Sequence, residues 1–132
     1  MNDTQLAVER LRVLEETVEY YSHPLRRAVD GDGQCRYITP DGGRCAIGRL
    51  VDEGTARILE DVEGDGLGYG VCVPRIFSKL PAHVKALGKD FLRQLQSLHD
   101  DGIYWMPFGL TCCGEEKVKR IKSDVEHGRY PV

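Results

Sequence analysis

The sequence predicts an α+β protein that is mainly α, a helix-rich single domain with one small β-hairpin. Apolar residues recur at helical intervals over residues 3–21 and again over 81–100, and a Pro-Asp-Gly-Gly turn at 40–43 lies between two short segments that each carry a cysteine. A length of 132 residues is near the commonest size of one domain and is sufficient to bury a core without disulfides or a metal. We therefore expect one domain over residues 1–132.

The first predicted helix covers residues 3–21. Its apolar positions are four and three residues apart, and charged residues occupy the other faces. Asp3 or Thr4 can cap its amino end, and His23-Pro24 ends it because proline disfavours a helical conformation in the residue before it. A second apolar line at sevenfold spacing widens the apolar face, so the helix either packs on the domain or pairs with a second copy, and its length favours packing. The apolar positions are Ala7, Leu11, Leu14, Val18 and Tyr21, flanked by Leu6, Val13 and Tyr20.

The predicted hairpin follows. Residues 34–39 alternate in polarity like a short strand, and the turn at 40–43 reverses the chain. Cys35 and Cys45 would then lie at the two ends of the hairpin, with their sulfur atoms within a few ångströms of each other. Two short helices, 45–51 and 53–63, are expected after the hairpin, and a glycine-rich loop covers 64–70.

Two further helices are predicted in the C-terminal half. Pro81 suits the first position of a helix that runs to about residue 100, with Gly88 as the place where it bends or splits. Gly102 ends that helix. The last helix covers about 115–127, where acidic residues favour its positive end.

Composition and charge exclude several classes of function. The formal charge of -3 combines 18 basic with 21 acidic side chains that are spread along the whole length, so no block of the sequence offers the basic surface that nucleic acid requires. No stretch approaches the roughly 20 apolar residues that span a bilayer, and the amino terminus does not resemble an export signal. We therefore expect a cytosolic protein that binds neither nucleic acid nor membrane. Five cysteines in such a compartment predict reduced thiols rather than a disulfide framework.

The thiols of the hairpin leave two chemical alternatives open. Cys35 and Cys45 could hold a structural zinc, although zinc needs four ligands and no second close pair of suitable geometry follows. Alternatively, Cys45 precedes a short helix whose amide groups lower the pKa of a thiol, and a nucleophile there would use His99 as its base, with Asp100 beside it. Buried cysteines that only fill space are the simpler interpretation of both patterns, and no cofactor is expected.

Arginines and aromatic residues are concentrated around the hairpin. Guanidinium groups beside aromatic rings suit a planar anionic ligand such as a nucleotide, and they suit an acidic patch on a partner protein equally well. Arginines whose stems pack on the core are the alternative. The residues expected to bind a ligand are Arg36, Tyr37, Arg44, Arg49 and Trp105.

Four short motifs resemble a group of small proteins that bacteriophages and prophage-rich bacteria encode. They are Cys35-x-Tyr37, Gly43-x-Cys45-Ala-Ile-Gly-Arg49, Leu95-Gln-x-Leu-His-Asp100 with Trp105, and Gly109-Leu110 before a closing helix. The resemblance runs from Pro24 to Ile121. It brings no assigned activity, and it implies an accessory protein of a phage or mobile element that acts in the cytosol of the bacterial host.

These observations together predict a non-enzymatic binding protein. We expect it to bind a host protein or to sequester a small anionic, nucleotide-like ligand, for example in evading host defence, and to form a homo-oligomer through helix 3–21. An enzyme that uses Cys45 and His99, and a structural module that zinc holds together, remain the alternatives.

Overall fold

The computed structural model describes residues 2–23, 26, 37–39, 43–63 and 74–131. These residues form a mainly α fold with one two-stranded antiparallel hairpin, which confirms the predicted fold class. Short 3₁₀ turns lie at Gly48–Leu50 and Gly102–Tyr104. The helices and strands, in chain order, are α1 (Asp3–Tyr21), α2 (Glu53–Glu63), α3 (Pro74–Phe77), α4 (Ala82–Lys85), α5 (Lys89–Asp100), β1 (Trp105–Met106), β2 (Gly109–Leu110) and α6 (Cys112–Glu126).

Helix α1 has the predicted length but a different cap. The side chain of Asn2 accepts a hydrogen bond from the Gln5 amide at 2.8 Å, and the Gln5 side chain accepts one from the Asn2 amide at 2.9 Å. This reciprocal pair is a capping box, which satisfies two amide groups that the helix leaves without partners. The cap is therefore Asn2 rather than Asp3 or Thr4.

The wide apolar face of α1 packs against the rest of the domain. Leu6 and Val13, on the second apolar line, are buried with Leu14 and Tyr21 on the first. Helix α1 contacts α5, α6 and β2. Among its large apolar side chains only Val8, at 62% exposed, lies in solvent, so most of the apolar surface of α1 is already used inside the fold.

The helix predicted from Pro81 splits at the expected glycine. Gly88 adopts a φ of 87°, a left-handed conformation that costs glycine little, and it separates α4 from α5. Pro81 caps α4 instead of occupying its first turn. Helix α5 then buries one side, and the residues of this side are fully buried: Phe91, Leu92, Leu95, Leu98 and His99.

The position of the hairpin differs from the prediction. The two-stranded sheet pairs Trp105 with Leu110 and Met106 with Gly109, in a segment where no strand was predicted. At the predicted position, the described residues show only a single antiparallel bridge between Ile38 and Arg44. The chain does reverse there, but the residues that turn at 40–42 lie outside the described part. Residues 34–36 of the predicted strand also lie outside the described part, and of its described residues Ile38 takes part in the bridge.

Candidate functional site

The chain reversal around the Ile38–Arg44 bridge packs closely against α2 and against the 3₁₀ turn at Gly48–Leu50. The amide of Tyr37 donates a hydrogen bond to a carboxylate oxygen of Glu60 at 2.9 Å. A Cβ atom placed on Gly48 would lie only 2.0 Å from the carbonyl oxygen of Tyr37, so the two backbones touch. Glycine is therefore required at position 48 for the turn to pack on the reversal.

Cys45 is completely buried at the centre of this region. Its sulfur accepts a hydrogen bond from the Gly48 amide at 3.3 Å. Burial raises the pKa of the thiol to about 12, and this effect exceeds the opposing influence of the Gly48 amide. Because the nucleophile of a thiol enzyme is the thiolate, a thiol that is buried and protonated at neutral pH is poorly suited to that role.

His99 and Asp100 lie near Cys45 but do not form an open catalytic site with it. The ring Nδ1 of His99 is 2.7 Å from a carboxylate oxygen of Asp100, which also accepts a hydrogen bond from Gln96 at 2.8 Å. The charge of Asp100 contributes to the raised pKa of Cys45. His99 is fully buried, while 40% of the Asp100 side chain is exposed. Cys45 and His99 are both closed to solvent, so a substrate could reach neither of them unless the core opened.

The two aromatic residues of the expected ligand site are part of the core. Trp105 is 9% exposed, and its indole N–H donates to the carbonyl oxygen of Leu98 at 2.7 Å. Tyr37 is 4% exposed. A ligand could not stack on the face of either ring unless the core opened, so both rings stabilise the fold.

The arginines of that expected site serve different purposes. Arg44 donates to the carbonyl oxygen of Val51 at 2.9 Å, which fastens the reversal to the turn before α2. Arg49 donates to the hydroxyl of Thr17 at 3.1 Å and lies over the ring of Tyr20, so it faces α1. Arg36 and Cys35 lie outside the described residues. Among the described residues, Arg44 and Arg49 therefore bond to different partners, while both aromatic rings are buried.

A different surface, which the sequence reasoning missed, carries large exposed apolar side chains. Ile103 is 58% exposed, Met106 54% and Phe108 80%. They follow one another through the second 3₁₀ turn, β1 and the turn of the hairpin. We call these three residues the hairpin surface. The sequence feature that could have indicated this surface is a pair of apolar residues, Met106 and Phe108, which flank a proline and belong to no helical repeat.

An open cleft of about 460 Å³ lies beside the hairpin surface, where the second 3₁₀ turn meets the start of α6. Thr111 caps α6 by accepting a hydrogen bond from the Gly114 amide at 3.1 Å. A Cβ atom on Gly114 would lie 2.2 Å from the carbonyl oxygen of Tyr104, so the turn and the helix are in backbone contact. The cleft is lined by Asp101, Ile103, Tyr104, Cys112, Cys113, Glu116, Lys117 and Arg120.

Two negative findings apply to the described part of the chain. Within it, no three or more His, Cys, Asp or Glu side chains are grouped so that they could hold a metal ion. Cys45 therefore belongs to no such group among the described residues, and Cys35, its zinc partner in the sequence prediction, lies outside the described ranges. None of the helices between residues 2 and 131 that the structure describes has the length and apolar character needed to cross a bilayer.

Comparison with known proteins gives no family for this chain. No family model, no curated protein and no solved structure matches it.

Proposed function

We propose that this chain is a non-enzymatic accessory protein of a phage or mobile element, which binds a host protein in the bacterial cytosol through the hairpin surface. The observation that carries the proposal is the exposure of Ile103, Met106 and Phe108 on one short segment. Contiguous exposed apolar side chains on a water-soluble domain are typical of sites where another protein docks. The buried, protonated Cys45 favours this proposal over the thiol enzyme.

Charge at the neighbouring cleft indicates what kind of partner would fit. The Lys117 ammonium donates to the side chain of Gln94 at 2.6 Å, and burial lowers its pKa, as do the nearby charges of Arg120 and Arg93. Among the described residues, none of these three cations has a carboxylate within ion-pair distance. The excess positive charge favours a partner that carries carboxylates beside its apolar anchor residues.

The acidic residues of the cleft do not cancel this charge. Asp101 accepts a hydrogen bond from the Ile103 amide at 3.0 Å, so its carboxylate caps the 3₁₀ turn. Glu116 lies 3.9 Å from Lys119. Asp101 keeps its negative charge, whereas Glu116 is offset by Lys119. Asp124, whose charge acts to raise the pKa of Lys117, is itself paired with Arg129 at 2.8 Å, so the cations around Lys117 remain in excess.

The test compares two double variants that remove equal numbers of exposed apolar side chains. Met106→Ser/Phe108→Ser changes the hairpin surface, and the control Val8→Ser/Ile58→Ser changes residues that are 62% and 49% exposed elsewhere. A host protein retained by the immobilised chain is identified, purified and titrated against each variant. Burial of a large apolar side chain contributes about 1.5–3 kcal/mol, so we expect at least about a 10-fold loss of affinity for the hairpin variant.

The control variant should keep the affinity of the wild type, and both variants should unfold at nearly the same temperature as the wild type because the changed residues are exposed. Binding should also weaken as salt is raised, since the cations near Lys117 contribute. Equal affinities of wild type and hairpin variant would contradict the proposal, as would failure to retain any host protein.

A further inference from the structure

A second cleft, which shares no residue with the hairpin surface, lies between α1, the first 3₁₀ turn and α4. Its volume is about 410 Å³, which lies within the range of small-molecule sites, about 300–1,000 Å³. Four apolar residues and four polar residues line it. We call it the Arg49 cleft: Glu9, Arg12, Val13, Arg49, Leu50, His83, Val84 and Leu87.

Arg12 does not give this cleft a positive charge. Its guanidinium forms ion pairs with Glu9 and with Glu16, on the preceding and following turns of α1. All three side chains are substantially exposed, with 51% for Arg12. Two carboxylates around one guanidinium leave this group with a net negative charge.

Among the described residues, Arg49 is the cation of the cleft that has no carboxylate within ion-pair distance. Its Nη2 donates to the Thr17 hydroxyl at 3.1 Å, and its guanidinium carbon is 5.8 Å from the centre of the Tyr20 ring. Its Nη1 donates to none of the described residues, and its Nε is buried with no acceptor. The contacts with Thr17 and Tyr20 hold the guanidinium in place, so an anion that binds it does not have to order a flexible side chain.

The apolar lining limits the kind of anion that the cleft can take. Val13, Val84 and Leu87 are buried residues that close the cleft on one side, and Leu50 is half-buried beside Arg49. A small ligand that covers this lining must have a hydrocarbon body. Glu9, whose pKa is held low by its hydrogen bond with Arg12, is ionised at neutral pH and repels each additional negative charge on a ligand.

We propose that the Arg49 cleft binds a small monocarboxylate with an apolar body. The guanidinium of Arg49 holds the carboxylate, and the lining of Val13, Leu50, Val84 and Leu87 covers the hydrocarbon part. A single unpaired cation next to a carboxylate favours one negative charge over the several charges of a polyphosphate. The site is thus selective against nucleotides, in contrast to the ligand expected from the sequence.

Hexanoate is a suitable probe, with hexanol as the uncharged molecule of similar shape and inorganic phosphate as the anion without an apolar body. Binding is followed through the backbone amide signals of Arg49, Leu50 and Val84 in a ¹H–¹⁵N correlation spectrum. A ligand of this size should bind with a dissociation constant on the order of 1 mM. We expect hexanoate to shift these signals saturably, and hexanol and phosphate to bind at least about 10-fold more weakly.

Three variants test the roles of the charges. Arg49→Gln should weaken hexanoate binding by at least about 10-fold, whereas Arg57→Gln, on the exposed side of α2, should leave it unchanged. Glu9→Gln should tighten binding of hexanoate. It should also reduce the difference between the affinities for hexanoate and for phosphate. That gain of binding cannot result from a folding defect, so it tests the proposal even if Arg49→Gln is unstable.

Each contrary result overturns the inference. If hexanol bound as tightly as hexanoate, the Arg49 guanidinium would have no role in binding. If phosphate bound more tightly than hexanoate, the ligand would not need an apolar body. Absence of any shift at a hexanoate concentration about ten times the expected dissociation constant would mean that the cleft is not a ligand site. None of these outcomes affects the hairpin surface, because the two sites have no residue in common.

Discussion

The hydroxyl of Tyr21 donates a hydrogen bond to the main-chain carbonyl oxygen of Arg44 across 2.5 Å. The bond joins the end of α1 to the reversal that carries Cys45. The ring of Tyr21 also makes edge contacts with His99, at 4.8 Å between ring centres, and with Trp105, at 6.0 Å. One buried side chain thus links α1, the reversal, α5 and β1.

We expect Tyr21→Phe to lower the free energy of unfolding by about 1–3 kcal/mol, because the variant leaves a part-buried carbonyl group without its donor. Urea unfolding of the two proteins measures the difference. Tyr20→Phe is the matched control, since Tyr20 is the neighbouring half-buried tyrosine and no hydrogen bond of its hydroxyl is found among the described residues. The control should change the free energy of unfolding by less than about 0.5 kcal/mol. Equal effects of the two substitutions would refute the role of the bond.

The buried thiol of Cys45 should make the protein less stable at alkaline pH. Burial raises its pKa to about 12 in the folded state, whereas an exposed thiol of the unfolded chain titrates near about 8.5. Between these values the folded state holds a proton that the unfolded state has lost. The contribution is therefore fully present below about pH 8.5 and is lost as the pH rises towards 12, at about 1.4 kcal/mol per pH unit.

A Cys45→Ala variant isolates this contribution, because every other titrating group, including Tyr21 and Lys117, is common to both proteins. Urea unfolding at several pH values from 7 to 10 gives the difference in free energy between wild type and variant. We expect that difference to shrink as the pH rises above about 8.5. A difference that stays constant over this range would show that the thiol is not held protonated by the fold.

Alkylation rates should separate Cys45 from the exposed cysteines. Cys112 and Cys113 lie in the first turn of α6 and are exposed, whereas Cys45 is inaccessible. Under native conditions at neutral pH, we expect iodoacetamide to label Cys45 at least about 100-fold more slowly, since the reaction requires local opening of the core. Peptide mass spectrometry assigns each site, and unfolded protein gives the reference rates. Rapid labelling of Cys45 would instead favour the alternative enzyme with His99 as its base.

Close backbone contact makes Gly48 intolerant of a side chain. An added Cβ would lie 2.0 Å from the Tyr37 carbonyl oxygen, a backbone atom that cannot move aside cheaply. We expect Gly48→Ala to lower the free energy of unfolding by more than about 2 kcal/mol. Gly102→Ala is the control, because nothing lies within 4 Å of its added Cβ. A Gly48→Ala protein as stable as the Gly102→Ala protein would mean that the reversal does not pack on the 3₁₀ turn in this way.

Local sequence patterns were sufficient for the long helices. The spacing of apolar residues predicted α1, and Gly88 was correctly named as the place where the following helical segment divides. The last helix was predicted to begin three residues too late, because the Thr111 cap and the cysteines after it were not recognised as its first turn. The strand pair of Trp105 and Leu110 was missed because two residues per strand carry no measurable alternation.

Much of the candidate site could not be predicted in the same way. Arg44 and Arg49 are close in sequence, yet one bonds to Val51 and the other to Thr17 of α1. The sequence suggested a shared ligand site because neighbouring arginines have the same chemistry. Which acceptor each guanidinium meets depends on how distant segments pack, and that is not encoded in local spacing.

From the sequence alone, the mainly α class, the course of α1 and the reversal near Cys45 could be established, because helical periodicity and turn residues act over a few neighbouring positions. Tertiary packing alone decided that Cys45, His99 and Trp105 are buried and that Ile103, Met106 and Phe108 are exposed. Burial is a sum over contacts between segments far apart in the chain. A thiol, an imidazole or an aromatic ring has the same local pattern whether those contacts cover it or leave it in water.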